Sequence, residues 1–166
     1  MKIIGITGSS GSGKTALSKI LSEKEFAKVI DADKVARELS VPGTEYLNSI
    51  KEIFGKEVFL ENGSLDRKKL ASKIYNDASA CKALNKLTFK FVVDEIIRRL
   101  EELKTQKVEC VAIDAPLLFE SNLDKYCDYL KEHWHTMFKH TKKYYGDKFG
   151  EFLSKFFKPF FIHINN

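Results

Sequence analysis

Lys2-Ile3-Ile4-Gly5-Ile6-Thr7-Gly8-Ser9-Ser10-Gly11-Ser12-Gly13-Lys14-Thr15 is the stretch on which the fold turns. Lys2 to Thr7 is a short β-branched run, the pattern of a buried strand. Gly8 to Thr15 then satisfies G-x-x-x-x-G-K-[ST] at every required position. Each residue type has a physical reason. The glycines admit positive φ and let backbone amides approach phosphate oxygens. Those amides form an anion-binding nest, and the helix predicted from Lys14 to Lys24 points its positive end at the same spot. Leu17, Ile20 and Leu21 give that helix its apolar face. Gly8, Gly11, Ser12, Gly13, Lys14, Thr15 and Ala16 are therefore the expected ATP-binding residues. Lys14 supplies a catalytic point charge for the β- and γ-phosphates, and the Thr15 hydroxyl is the expected Mg²⁺ ligand. A chance glycine/serine turn would need neither the strand before it nor the helix after it.

Working outward, Phe26 to Ile30 reads as a second strand ending at Asp31-Ala32-Asp33. Lys34 to Ser40 reads as a helix that Val41-Pro42-Gly43 stops. Thr44 to Phe54 is an amphipathic helix with Tyr46, Leu47, Ile50, Ile53 and Phe54 on one side. Glu61-Asn62-Gly63-Ser64 is a turn, and Leu65-Asp66-Arg67 opens a helix to about Tyr75 with Ser64 as its N-cap. Ala80 to Leu103 is periodic throughout and predicted helical. Glu109 to Ile113 is a third strand, ending at Asp114, and Pro116 begins a loop. Strand, glycine loop, helix, strand, helices, strand predicts an α/β fold with a parallel sheet. The helical block over about residues 44 to 103 is expected to form a lobe inserted into it.

Length and composition narrow the function classes. A chain of 166 residues suits one domain. No apolar run approaches the length of a membrane span, and the short run after Met1 lacks the features of a secretory leader. Cys81, Cys110 and Cys127 are odd in number and show no C-x-x-C pair, which fits free thiols in a reducing compartment. A cytoplasmic monomer without membrane or nucleic-acid partners is expected. The formal charge is +5, and residues 130 to 166 hold seven lysines against three acids, so the first 129 residues carry only +1. A solvated helix face accounts for that excess as well as a nucleic-acid surface does.

Ligands of open parallel sheets bind outside the carboxyl ends of the strands. Asp31 and Asp33 follow the second strand, and Asp114 ends the third. Phosphoryl transfer to a hydroxyl needs one carboxylate to orient that hydroxyl and accept its proton, and another acid to hold Mg²⁺. Asp33 suits the first task and Asp114 the second. Asp31 is expected to be structural, as the cap of the following helix. Guanine recognition by N-K-x-D is not met, because Asn85-Lys86 is followed by Leu87-Thr88 inside a predicted helix.

The chain resembles the dephospho-coenzyme A kinases, which are P-loop enzymes. The resemblance rests on Thr7-Gly8 through Thr15, Val29-Ile30-Asp31-Ala32-Asp33 with Ala36-Arg37, Pro42-Gly43 and Phe54-Gly55. It continues through Asn62-Gly63-Ser64-Leu65-Asp66-Arg67, Leu84-Asn85-Lys86-Leu87-Thr88 and Asp114-Ala115-Pro116-Leu117-Leu118-Phe119-Glu120, in order over about residues 1 to 129. It implies a three-layer P-loop sandwich whose helical lobe binds the acceptor. It also implies transfer of the ATP γ-phosphate to the 3′-hydroxyl of dephospho-coenzyme A. Asp33 would be the catalytic base, Thr7 and Arg37 would lie near the acceptor, and Arg67 and Asn85 would belong to its cover. Read without the family, Arg37 and Arg67 are surface ion-pairing residues, and Pro116 to Phe119 is a packed loop.

Departures from the family pattern are specific. Phe89-Lys90 stand where the family has His-Pro, and Ala16 replaces a hydroxyl. After Tyr129 the family continues with a hydrophobic strand and then an arginine-bearing lid helix. This chain runs Leu130-Lys131-Glu132-His133-Trp134-His135, and no arginine follows Arg99. Lys139, Lys142 or Lys143 would be the substitutes for the lid arginines, although a lysine lacks the bidentate fork of arginine. Leu130, Trp134, Phe138, Tyr145, Phe149, Phe152, Phe156 and Phe160 recur at helical spacing, so an amphipathic helix breaking near Pro159 is expected over this divergent 130 to 166 segment. Two alternatives to a dephospho-coenzyme A kinase follow: a nucleotide-binding relative without turnover, and a kinase for another small molecule.

Overall fold

A computed structural model describes residues 1–8, 14–23, 26–75 and 77–131. Ser9 to Gly13 and the expected tail helix beyond Lys131 lie outside the described residues. Within them the fold is mixed α/β with a parallel sheet, as expected.

Two compact units make up the chain. Among the described residues, one comprises Met1–Ile30 and the stretch from Leu103 to Lys131, and the other Asp31–Glu102. In the first, β1 (Lys2–Ile6) leads to α1 (Lys14–Glu23), and β2 (Lys28–Asp31) runs to the boundary. β3 (Cys110–Asp114) and β4 (Tyr129–Lys131) complete a four-stranded sheet of order β2-β3-β1-β4. β1 pairs in parallel with β3 and with β4, and its last residue, Ile6, lies opposite both Asp114 and Lys131. The carboxyl ends of these three strands therefore share one edge.

Burial follows the strand alternation. Ile4, Ile6, Cys110 and Ala112 pack with Leu17 and Leu21 of α1 in one cluster. Val111 and Ile113, pointing to the opposite face, are also fully buried. A sheet buried on both faces needs apolar residues at every position, which is why β3 reads as a continuous run. Burial raises the Cys110 thiol to about 11. All three cysteines are free.

β4 corrects one expectation. Leu130, expected in a tail helix, lies in a strand instead, for Tyr129–Lys131 pairs with Ile4–Ile6 of β1. A three-residue strand is held by its neighbour's ladder, a contact that helical periodicity does not register. Asp128 anchors its approach by accepting from the Ile3 N–H at 2.7 Å and donating its own N–H to the Ile3 carbonyl at 2.9 Å.

The Asp31–Glu102 unit is helical: α2 (Ala32–Leu39), α3 (Glu45–Phe54), α4 (Arg67–Tyr75) and the start of α5 (Ala78–Thr105). Tyr46, Leu47, Ile50 and Phe54 of α3 pack with Val58 and Leu70. Ile53, expected on that face, is 52% exposed, because the apolar stripe is only as wide as the surface it meets. α2 starts two residues before Lys34, because the Asp31 side chain accepts from the Lys34 N–H at 2.9 Å. The α4 cap is Asp66, accepting from the Lys68 and Lys69 N–H groups at 3.1 Å each, and not Ser64. Leu65 is held in an antiparallel bridge to Phe59, so the chain is still extended where a helix was expected to open. Gly55 ends α3 at φ +88°, donating its N–H to the Lys51 carbonyl. Among the described residues, no helix is long and apolar enough to cross a membrane.

Candidate active site

The carboxyl edge of the sheet gathers the site residues of the first unit. The chain leaves β1 through Thr7 and Gly8, and Gly8 has φ +138°, a conformation an L side chain rarely adopts. Thr7 is buried at 6% exposure, and its hydroxyl donates to the Pro116 carbonyl at 3.0 Å. That bond ties the loop after β1 to the loop after β3. Lys14, the first residue of α1, donates from Nζ to the Gly8 carbonyl at 2.7 Å. Gly11, Ser12 and Gly13 lie outside the described residues. Thr15 and Ala16 are exposed in the first turn of α1.

Asp114 ends β3 half-buried and accepts from the Ser18 hydroxyl at 2.5 Å. Sequence reading passed over Ser18. The available signal was its spacing, since it lies three residues after Thr15 and therefore on the same helix face. Ser18 links the glycine-loop helix directly to the acid at the strand end. These are the donors Mg²⁺ favours: a carboxylate and hydroxyls, all hard oxygens. Mg²⁺ takes only one or two protein ligands and completes its octahedron with water and phosphate oxygens. Thr15 and Asp114 fit that donor set.

In the second unit, Asp33 lies exposed in the first turn of α2. Asp31 carries the capping bond, so the Asp33 carboxylate is not spent on the helix terminus. The free amide ends of that turn favour its negative charge. Arg37 and Arg67 are exposed, and among the described residues neither is in an ion pair. Asn85, exposed on α5, reaches the Cys81 sulfur at 3.8 Å. In the Pro116–Phe119 loop, Leu118 is fully buried while Leu117 and Phe119 are 49% and 41% exposed.

The sequence profile of the dephospho-CoA kinase family matches residues 2–132. This chain belongs to the dephospho-CoA kinase family. A dephospho-CoA kinase of Carboxydothermus hydrogenoformans is 36% identical over 128 residues, covering 77% of this chain and 62% of the relative. One of Oceanobacillus iheyensis is 42% identical over 121 residues, covering 73% and 60%. The chain thus spans about 60% of the length of the curated relatives it matches. A solved structure from Thermus thermophilus superposes with TM-score 0.64 at 28% identity, covering 80% of this chain and 64% of that one. The dephospho-CoA kinase of Campylobacter jejuni has TM-score 0.58 at 18% identity, covering 79% and 87%, and supports the fold.

Proposed function

We propose that this protein transfers the γ-phosphoryl group of ATP to the 3′-hydroxyl of dephospho-coenzyme A in the cytoplasm. The observation that carries the reading is the carboxyl edge of the sheet, where Lys14 closes on the Gly8 carbonyl and Ser18 fixes Asp114. A triphosphate is the ligand that rewards a glycine loop, an ammonium and a fixed carboxylate on one edge.

The step makes one bond and breaks one. The acceptor 3′-oxygen bonds to the γ-phosphorus as the bond from that phosphorus to the β–γ bridging oxygen breaks, and ADP departs. Asp33 orients the attacking hydroxyl and takes its proton. Lys14 neutralises charge on the β- and γ-phosphate oxygens, and the glycine-loop amides hold the triphosphate in line. Thr15 and Asp114 would hold Mg²⁺, which would supply further neutralisation of the phosphates. Ser18 keeps the Asp114 carboxylate in its rotamer. The Asp31–Glu102 unit receives the acceptor. Arg37 and Arg67 offer it bidentate donors, and Asn85 an amide. Thr7 holds the Pro116 loop on which the acceptor rests.

Acceptor-dependent ADP release, measured beside Asp33→Asn and Lys14→Ala, tests the reading. Turnover is expected in the parent, with a loss of about 10²-fold or more in Asp33→Asn at unchanged MgATP affinity. Lys14→Ala is expected to lose MgATP affinity as well. ATP binding without any acceptor-dependent ADP release would establish the nucleotide-binding relative instead.

A further inference from the structure

α2 carries both Asp33 and Arg37, and it is only eight residues long. A helix that short takes its orientation from what it packs against. Ala32 and Val35 are buried, and half-buried Leu39 packs against the cluster built on α3, so these three mark the core side of α2. At about 3.6 residues per turn, Asp33 and Arg37 share the opposite side, where both are exposed. Glu38 falls on the flank between the two sides.

Apolar contact is non-directional, so a single apolar stripe holds a helix close and resists its roll only weakly. A contact on the flank stops that roll, and in α2 it is an ion pair. Arg99 of α5 donates from Nη2 to the Glu38 carboxylate, and that bond holds the carboxyl below its ordinary range. Lys34 lies 4.0 Å from Glu38 as well, but it belongs to α2 and anchors it to nothing else. Arg99 is itself held. Its Nε donates to Glu95 at 2.8 Å, and Glu95 also accepts from Arg98 at 2.8 Å. The guanidinium therefore reaches α2 from a fixed base, through the planar fork that lets one side chain grip two carboxylates.

We infer that Arg99 is a positioning residue for phosphoryl transfer: through Glu38 it fixes the roll of α2 and so the placement of the Asp33 carboxylate. The inference rests on Asp33 as the base proposed above. Side-chain ends lie about 5–6 Å from a helix axis, so a roll of about 10° moves them by about 1 Å. A shift of that size at a reacting group can cost about 10²-fold in rate. The Arg99 and Glu38 side chains are 29% and 43% exposed, and an ion pair so exposed adds little to stability. Its loss is therefore expected to show in kcat before it shows in the melting temperature.

Steady-state kinetics on the full chain with MgATP and dephospho-coenzyme A test this, read as acceptor-dependent ADP release. Arg99→Gln and Glu38→Gln are each expected to lower kcat about tenfold, with the KM for ATP and the circular dichroism unchanged. The double variant is expected to lose no more than either single one, because both remove the same contact. The deciding background is Asp33→Ala, in which no carboxylate remains to be misplaced. There Arg99→Gln is expected to change the residual rate by less than about twofold. Parent-like kcat in the folded single variants overturns the inference, and so does an equal loss in both backgrounds; either result leaves the kinase reading standing. A parent protein that binds MgATP and releases no ADP with the acceptor overturns the reading and the inference together.

Discussion

At the residue scale, two aspartates two positions apart divide their work by geometry. Asp31 is spent on the Lys34 N–H, and Asp33 is left exposed one helical step inside. The sequence already favoured that division, because a strand-end acid followed by a helix is a capping pattern. Ser18 is the opposite case. A serine in a helix reads as a neutral surface residue, and only the pairing of β3 beside β1 brings Asp114 to 2.5 Å from its hydroxyl. Removing a hydrogen-bond partner of a metal-holding carboxylate typically weakens metal binding by about 10–100-fold. Ser18→Ala is therefore expected to raise the Mg²⁺ concentration for half-maximal turnover by about tenfold, and Ser18→Thr to restore it. An unchanged Mg²⁺ midpoint in a folded Ser18→Ala protein would separate Ser18 from the metal site.

At the element scale, α5 is fastened by an ionic cluster with a definite pH signature. Glu95 accepts from Arg98 at 2.8 Å through both oxygens and from Arg99 at 2.8 Å, while Arg99 also reaches Glu38 on α2. The Arg98 hydrogen bonds hold the Glu95 carboxyl down, from an ordinary 4.5 to about 2. Since the folded-state value is the lower one, the unfolded chain takes up this proton more readily as acid is added. The contribution is complete above pH 4.5 and is lost as the pH falls to about 2. Glu95→Gln is expected to cost about 1–3 kcal/mol at neutral pH and much less at pH 2, where the carboxyl is already partly protonated. Urea unfolding at several pH values checks it, and parallel curves for parent and variant across that range would show that Glu95 is not a linked group. The reach to Glu38 depends on packing of α2 beside α5, which spacing along the chain does not encode.

At the scale of the whole molecule, each compact unit carries its own apolar cluster, one on β1, β3 and α1 and one on α3, the Val58 turn and α4. A ligand that binds only the folded glycine loop must stabilise the native chain by mass action. MgATP at about 100 times its Kd is expected to add about 2.7 kcal/mol, which for a chain of this size corresponds to about 5–10 °C in Tm. Thermal melts with and without MgATP measure it, and Lys14→Ala is expected to abolish the shift. A parent Tm that ignores MgATP would remove the nucleotide from the account.

The order of strands and helices, the glycine loop and the acids at strand ends were determined by local sequence. Each depends on a residue's own backbone preference or on neighbours within a turn: glycine at positive φ, β-branched runs, an aspartate ahead of a helix. The tertiary structure alone decided the parallel pairing of Tyr129–Lys131 with β1, the Ser18–Asp114 bond and the Arg99–Glu38 pair. It also decided that Asp66 and not Ser64 caps α4, since the Phe59–Leu65 bridge keeps the chain extended that far. These join residues that are distant in the chain or compete with a nearby signal, and their energy arises only once the partner is in place.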